Sequence, residues 1–458
     1  MTTLIVEADF IIPIVPKYRV IKDGAIAVEN DRIVFVGKRD ECRRKFKADE
    51  VISIRYSVAL PGFINAHNHL FQSIIRNLGV DMVLVDWLRT TIHPLLLSFR
   101  DEDFYIAALW GIIENIKSGS TTIVDNHYGS GGYDYVAEAL IKSGVRGCLA
   151  RGIYELNVVE ELKEDPDEAL KDTERLIKKY HGVNNGRLMV AVAPMHPYNC
   201  SKELLLKAKE ISDKYGVPYH THTAESKKDQ ELNIKLHGMT DVTLLYKLGI
   251  LSSRYHAVHA VNVSREEIKY LAVSGAHVIH NPESNMYLAS GIAPIVEMMR
   301  EGVNIALGTD GPGSNNNQDM IEAMRFAAML HKVASGDPKA ITAWDVLEMA
   351  TINGAKALGI DRHVGSLEPS KKADIAVIRL DKPHIAPIHD PVGSIVYCAN
   401  ACDVDTVIVD GKVLMKNRRL LILDEEKVKK TAEKVAAEIL SRAKERYGIK
   451  PPHEDYLA

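Results

Sequence analysis

The feature that most constrains the fold of this chain is a repeated alternation between short apolar runs and longer segments with helical periodicity. Regular alternation of strands and helices predicts a parallel sheet covered by helices. Eight such units predict closure of the sheet into a barrel, so we expect an α/β fold built on a (β/α)8 TIM-like barrel. The predicted strands are residues 60–66, 121–124, 145–150, 188–193, 217–222, 256–259, 277–280 and 304–307.

Short strand-like runs also occur on both sides of the predicted barrel. Because the two ends of a domain are often close in space, we expect these runs to combine into one small unit. The predicted organisation is a composite β-sandwich from residues 1–58 and 362–423, with the barrel over 59–361. The predicted strands outside the barrel are residues 4–8, 24–28, 32–36, 373–378, 394–397, 406–409 and 412–415.

The last segment, 424–458, is predicted to be a helix followed by a tail. Apolar side chains recur on one helical face of this segment, at Val428, Ala432, Val435, Ile439 and Ala443. That spacing is typical of an amphipathic helix, so we expect it to pack on the body of the protein.

Charge and cysteine content restrict the function classes. The formal net charge of the 458-residue chain is −4 at pH 7, so composition favours neither nucleic acid nor an anionic membrane as a partner. A small-molecule ligand is the expected partner. The five cysteines include no C-x-x-C pair, which is typical of reduced thiols in a cytoplasmic protein. Residues 1–15 lack a signal-peptide pattern, and no run approaches the ~20 apolar residues of a membrane span.

Imidazole and carboxylate groups occur at the C-terminal ends of several predicted strands, where barrels assemble active sites. His67 and His69 form a His-x-His pair, and His222 and Asp310 end later strands. Three imidazoles and one carboxylate suit one divalent ion, Zn²⁺ before Fe²⁺. With one position left for water such a site is catalytic, because the ion lowers the pKa of that water to about 7.

Glu225 and His259 belong to the same predicted rim and are free for proton handling. Glu225 is three residues after His222 and can give a proton to the substrate. Asp310 can take a proton from the water, and His259 could orient that water or stabilise the oxygen of a tetrahedral adduct. His280 has two interpretations, a hydrogen-bonded support for the site or a substrate contact.

Several motifs together resemble the amidohydrolase superfamily, in particular its branch of methylthioadenosine/S-adenosylhomocysteine deaminases, guanine-type deaminases and s-triazine hydrolases. The motifs are PGFINAHNH at 61–69, HTAE at 222–225, SNMYLASG at 284–291, LGTDG at 307–311, and GSLEP at 365–369 with KAD at 372–374. The resemblance covers essentially the whole chain. It implies a barrel with a small composite β-sandwich, and a homo-oligomer.

The same resemblance implies roles for individual residues. Metal-ligand roles fall on His67, His69, His222 and Asp310, and catalytic roles on Glu225 and His259. Binuclear members carry a bridging lysine at the end of the fourth strand. Residues 188–194 contain none, so the resemblance implies a single metal ion.

The activity implied by the resemblance is hydrolytic removal of an amino or similar group from an aromatic N-heterocycle. We predict an aminohydrolase in which metal-activated hydroxide attacks the ring carbon that bears the amine. Glu225 then protonates the ring nitrogen, and ammonia leaves.

Two departures from the nucleoside-processing members favour a bare purine, pterin or triazine ring as the substrate. His93-Pro94 leads to Leu95-Leu96, where those members have a ribose-binding glutamate. Met195 stands where they have a substrate-binding histidine, a role that His196 could recover. The alternatives are a 5′-methylthioadenosine/S-adenosylhomocysteine deaminase, an s-triazine chlorohydrolase and a catalytically inactive scaffold barrel. The candidate substrate-binding residues are Trp87, Arg151, His196 and His280.

Overall fold

The computed structural model describes residues 3–129 and 131–451. Eight parallel strands follow one another in chain order around one sheet, which confirms the predicted fold class. Where the eighth strand meets the first, the backbone N–H of Asp310 donates to the carbonyl of His67 at 3.0 Å. The barrel strands, first to eighth, are Phe63–Asn68, Ser120–His127, Arg146–Ile153, Leu188–Pro194, Tyr219–Thr223, Tyr255–His259, His277–His280 and Asn304–Leu307.

All eight predicted barrel strands are present, with ends that differ from the predicted ones by up to three residues, and the start of the first strand is one such difference. Leu60, predicted to begin that strand, lies instead in Ser57–Pro61, which belongs to a second sheet. Gly62 separates the two strands. A Cβ atom at Gly62 would lie 2.0 Å from Thr121 on the second barrel strand, so only glycine lets the backbone pass this closely.

Helices follow the barrel strands, and polar N-caps set where several of them begin. Ser226 and Ser264 each form a capping box, with Asp229 and Glu267, just after the fifth and sixth strands. These caps fix the residue at which each helix begins, and so they also fix the end of the loop that follows each strand. The helices of six or more residues are Arg39–Lys45, Asp103–Lys117, Tyr133–Ser143, Pro166–Tyr180, Lys202–Tyr215, Lys227–His237, Asp241–Lys247, Arg265–Ser274, Pro282–Tyr287, Ile295–Arg300, Met320–Ser335, Ala343–Met349, Ile352–Ala357 and Glu425–Tyr447.

A second, nine-stranded sheet combines segments from both ends of the chain. Ser57–Pro61 pairs there with Ile375–Arg379 in antiparallel register. The buried Arg146, on the third barrel strand, joins this sheet to the barrel through ion pairs with Asp374 and Asp410. The strands of the second sheet are Thr3–Ile11, Ile21–Glu29, Arg32–Lys38, Glu50–Ser53, Ser57–Pro61, Ile375–Arg379, Val404–Val409, Lys412–Lys416 and Arg419–Leu420.

The predictions for the C-terminal third have mixed outcomes. The strand predicted at 394–397 is wrong, because Ser394–Cys398 continues the helical turn that Asp390 caps. The helix predicted near the C-terminus is present as Glu425–Tyr447, and Arg442 ties it to the barrel by an ion pair with Asp103. The predicted tail over 452–458 lies outside the described residues. Within 3–129 and 131–451, none of the helices combines the length and the apolar character needed to cross a membrane.

Candidate metal and catalytic site

Histidine and carboxylate side chains from three barrel strands converge at the C-terminal end of the barrel. His67 lies on the first strand and His69 directly follows it, His222 lies on the fifth, and Asp310 follows the eighth. All four side chains are buried. The ligand atoms of the three histidines lie within 4.8 Å of one another. Oδ1 of Asp310 is 3.0 Å from Nε2 of His69 and 3.3 Å from Nε2 of His67.

Hydrogen bonds on the far side of the histidines decide which ring nitrogen faces this cluster. Nδ1 of His69 lies 2.6 Å from the carbonyl of Asn126, and Nδ1 of His222 lies 3.0 Å from that of Met195. A carbonyl oxygen can only accept, so both rings carry a proton on Nδ1. Burial holds the pKa of His222 well below its usual range. That ring is therefore neutral and presents the lone pair of Nε2 to the cluster.

The carboxylate of Asp310 is held by hydrogen-bond donors. Oδ2 accepts from the hydroxyls of Ser284 (2.6 Å) and Ser314 (3.0 Å), and Oδ1 accepts from the backbone N–H of Gly311 (2.8 Å). Such donors favour the ionised form. Nε2 of His67 is buried and has no hydrogen-bond partner within the described ranges. Imidazole lone pairs and a carboxylate oxygen around one point are the donor set that Zn²⁺ takes, so these residues could hold one divalent ion.

Glu225 and His259 lie beside the cluster. Oε2 of Glu225 is 3.6 Å from Nε2 of both His259 and His196. Burial raises the pKa of Glu225 to about 7, against the opposing influence of His259. A carboxyl with that pKa can both hold and release a proton at neutral pH. Nδ1 of His259 is 2.9 Å from Oδ1 of Asn285, which orients the ring.

The backbone is strained at two of these strand ends. His259 and Asp310 have φ angles of +72° and +60°, a region that residues other than glycine seldom occupy. Strain of this kind persists only where the surrounding structure imposes it, and it is common at functional sites.

Two of the predicted substrate-binding residues lie near the cluster. His196 stacks on His222 with ring centroids 4.6 Å apart, and Nε2 of His196 has no hydrogen-bond partner in the described part of the chain. Trp87 is buried, and its indole nitrogen is likewise unpartnered there. The Trp87 ring faces the loop after Asp310, because a Cβ atom on Gly313 would lie 3.1 Å from it.

The other two predicted substrate-binding residues are engaged by protein groups. Arg151 forms ion pairs with Glu164 and Asp172, so two carboxylates already compensate its charge. His280 places Nε2 2.9 Å from Nε2 of His331. Substrate contacts by Arg151 and His280 stay predictions.

Two buried polar residues near the cluster were missed by the sequence analysis. Both ring nitrogens of His93 lack partners among the residues described, and burial lowers its pKa to about 4. The Tyr154 hydroxyl also lacks one. Both line a small cavity with Tyr198 and Asn199, and Asn199 lies 3.1 Å from Nδ1 of His196. The sequence signal for this pair is His93 itself, a polar residue near the position where nucleoside-processing members have the ribose-binding glutamate.

The chain is similar to known proteins over most of its length. A model of the amidohydrolase family matches residues 58–414. A 5-methylthioadenosine/S-adenosylhomocysteine deaminase of Thermoanaerobacter pseudethanolicus is 41% identical over 417 residues, 91% of this chain and 94% of the relative. A 5′-deoxyadenosine deaminase of Methanosarcina acetivorans is 39% identical over 443 residues, 97% of this chain and 100% of the relative. Among solved structures, an adenosine deaminase of Xanthomonas campestris with bound zinc has a TM-score of 0.92 at 29% identity and covers 96% of this chain and 99% of its own.

Proposed function

Because this chain belongs to the amidohydrolase family, we propose that it is a metal-dependent deaminase that releases the 6-amino group of a 5′-modified adenosine as ammonia. The observation that carries the proposal is the convergence of His67, His69, His222 and Asp310 on one point, with the protonatable Glu225 beside it. Two relatives named as deaminases of such adenosines, at 41% and 39% identity, support the substrate class.

His67, His69, His222 and Asp310 would hold a divalent ion, and such an ion would supply the Lewis acidity that makes water nucleophilic at neutral pH. Asp310 accepts a proton from the attacking water, whose oxygen bonds to the ring carbon that bears the amine. Glu225 donates its proton to the adjacent ring nitrogen. His259 stabilises the oxygen of the tetrahedral adduct. The carbon–nitrogen bond then breaks, and ammonia leaves with the proton that Asp310 had taken, while the hydroxyl group of the adduct returns its proton to Glu225 as the product carbonyl forms.

The bare-ring substrate expected from the sequence is less well supported than the nucleoside alternative. Leu95 and Leu96 are buried, and their side chains have no hydrogen-bonding atoms. Neither can therefore replace the ribose-binding glutamate of the nucleoside-processing members. His93 and Tyr154 instead bring unpartnered polar atoms to the small cavity whose Asn199 contacts His196. Buried polar atoms are nearly always hydrogen-bonded, and the hydroxyl groups of a sugar would supply the missing partners.

The test is ammonia release from a panel of 5′-methylthioadenosine, S-adenosylhomocysteine, 5′-deoxyadenosine, guanine and an aminotriazine. We expect turnover of the adenosines and little or none of the bare rings. His93→Phe should raise the KM for 5′-deoxyadenosine and leave the metal content unchanged. Turnover of the bare rings alone, or of nothing on the panel, would refute the proposed substrate class.

Zinc is the ion that we propose for the site, with iron(II) as the alternative. The donor set of three imidazoles and one carboxylate suits both ions, and the zinc-bound adenosine deaminase structure supports the first. Elemental analysis of the purified protein is expected to show about one equivalent of metal per chain. A protein without bound metal whose thermal stability does not respond to a chelator would favour the scaffold alternative.

A further inference from the structure

A chain of three hydrogen-bonded histidines runs through the interior of the barrel. Nδ1 of His67 is 2.8 Å from Nε2 of His220, and Nδ1 of His220 is 3.0 Å from Nδ1 of His256. Nε2 of His256 is 2.7 Å from the carbonyl of Ala357, the last residue of helix Ile352–Ala357. The three rings come from the first, fifth and sixth strands and are buried.

The carbonyl at the end of this chain sets the direction of every hydrogen bond in it. A carbonyl oxygen accepts only, so His256 carries its proton on Nε2 and accepts at Nδ1. His220 must then donate from Nδ1 and accept at Nε2. His67 must donate from Nδ1, which leaves the lone pair of its Nε2 directed at the cluster. Each of the three contacts in the chain accommodates one hydrogen, because two opposed N–H groups would clash at these distances, so each ring carries a single proton toward its neighbour.

The reverse arrangement is unfavourable at both ends. If His67 carried its proton on Nε2, the lone pair of His256 would face the Ala357 carbonyl at 2.7 Å. The cluster would also lose one of its three nitrogen ligands. His69 and His222 avoid this problem because each bonds a backbone carbonyl directly. His67 has an imidazole in that place, and an imidazole by itself imposes no tautomer.

We propose that His220 and His256 are positioning residues that relay the acceptor at Ala357 to His67 and hold His67 in the tautomer that binds metal through Nε2. This inference rests on the proposed metal site and goes beyond it, since neither His220 nor His256 touches the ion or the substrate. Partners of this kind fix the tautomer and raise the basicity of a metal-bound histidine, and their loss typically weakens metal affinity about 10- to 100-fold.

The first experiment needs no variant. Two-bond ¹H–¹⁵N correlation spectra of the protein labelled with ¹⁵N-histidine distinguish the two neutral tautomers of each ring. We expect His220 as the Nδ1–H form and His256 as the Nε2–H form. His220 found as the Nε2–H form would overturn the proposal.

The second experiment measures Zn²⁺ affinity by competition with a chromogenic chelator. His220→Leu removes both hydrogen bonds at similar volume, and we expect Zn²⁺ affinity to fall about 10- to 100-fold. His220→Gln keeps an oxygen that can accept from His67 and should recover most of the affinity. His277→Leu is the matched control, since His277 is an interior histidine bonded to Ser253 and Asn304 outside the relay.

The Zn²⁺ affinities of the variants distinguish a His220 that only fills space in the barrel from a His220 that relays the acceptor at Ala357 to His67. If His220 only fills the barrel, His220→Leu and His277→Leu should lower the melting temperature of the metal-free protein alike and leave Zn²⁺ affinity equal to that of the wild type, which would refute the relay. Wild-type protein that binds Zn²⁺ but turns over no nucleoside would count against the proposed substrate and leave the relay standing. If His220→Leu does not fold, the tautomers of the wild type decide.

Discussion

Replacing Glu225 by glutamine is expected to stabilise the metal-free protein at neutral and alkaline pH while it removes activity. The side chain is buried, and burial raises its pKa from 4.5 to about 7. At pH 8 the carboxylate is therefore ionised in a site that disfavours the charge. Each unit of pKa shift corresponds to about 1.4 kcal/mol, so the cost to the folded state is about 3 kcal/mol. Glutamine occupies the same volume without the charge.

The pH dependence follows from the direction of the shift. Between pH 4.5 and 7 the folded state binds more protons at Glu225 than the unfolded state, so the stability of the wild type falls as the pH rises through this window. The glutamine of Glu225→Gln does not ionise, so the stability of the variant does not fall in this way. The advantage of the variant should be absent below pH 4.5, grow up to about pH 7 and then stay constant.

The assay is calorimetry of chelator-treated wild type and Glu225→Gln at several values of pH. Unfolding entropy is about 2.1 cal/mol/K per residue, so for the 458-residue chain 3 kcal/mol corresponds to about 3 °C in melting temperature. Ammonia release by the metal-loaded variant should fall about 10²- to 10⁴-fold. A variant no more stable than the wild type at pH 8, or one whose advantage does not change with pH, would refute the reasoning.

Three further predictions concern other parts of the molecule. Asp310→Asn should lower ammonia release at least about 100-fold and weaken metal retention while circular dichroism stays unchanged, and full activity would contradict its role. Arg146→Met leaves the buried Asp374 without its ion-pair partner, while Asp410 keeps Arg187, so the free energy of unfolding should fall by about 3–5 kcal/mol; calorimetry checks this, with Arg146→Lys as the milder control. His196→Phe keeps the stacking on His222 and loses Nε2, so KM for a 5′-modified adenosine should rise with metal content unchanged; an unaltered KM would argue against a substrate contact.

Much of the barrel was predictable because its signal is local. Strand and helix periodicity depends on neighbouring residues, and each of the eight barrel strands overlaps the segment predicted for it. Local patterns fail for short apolar runs, as at Ser394–Cys398, where a cap at Asp390 continues a helical turn instead of a strand. The start of the first barrel strand was also misplaced, because pairing between Leu60 and Ala376 draws residue 60 into the second sheet.

The candidate site was predictable for a topological reason. The C-terminal ends of barrel strands meet at one mouth, so polar residues at those ends are near neighbours whatever their distance in sequence. The position of a residue at such an end does not determine which groups its side chain contacts. Arg151 lies on the third barrel strand, just beyond the segment predicted for it, and its guanidinium is bound by Glu164 and Asp172, which no spacing in the sequence reveals.

By itself the sequence determined the barrel and the residues that gather at its mouth, because periodicity and strand ends are properties of short segments, and its motifs indicated the class of chemistry through their resemblance to a known family. The tertiary structure alone decided how those residues are charged and protonated. Burial moves the pKa of Glu225 to about 7, and the register that sets His220 beside His256 links His67 to the carbonyl of Ala357. Both effects depend on contacts between distant segments, which exist only once the barrel has formed.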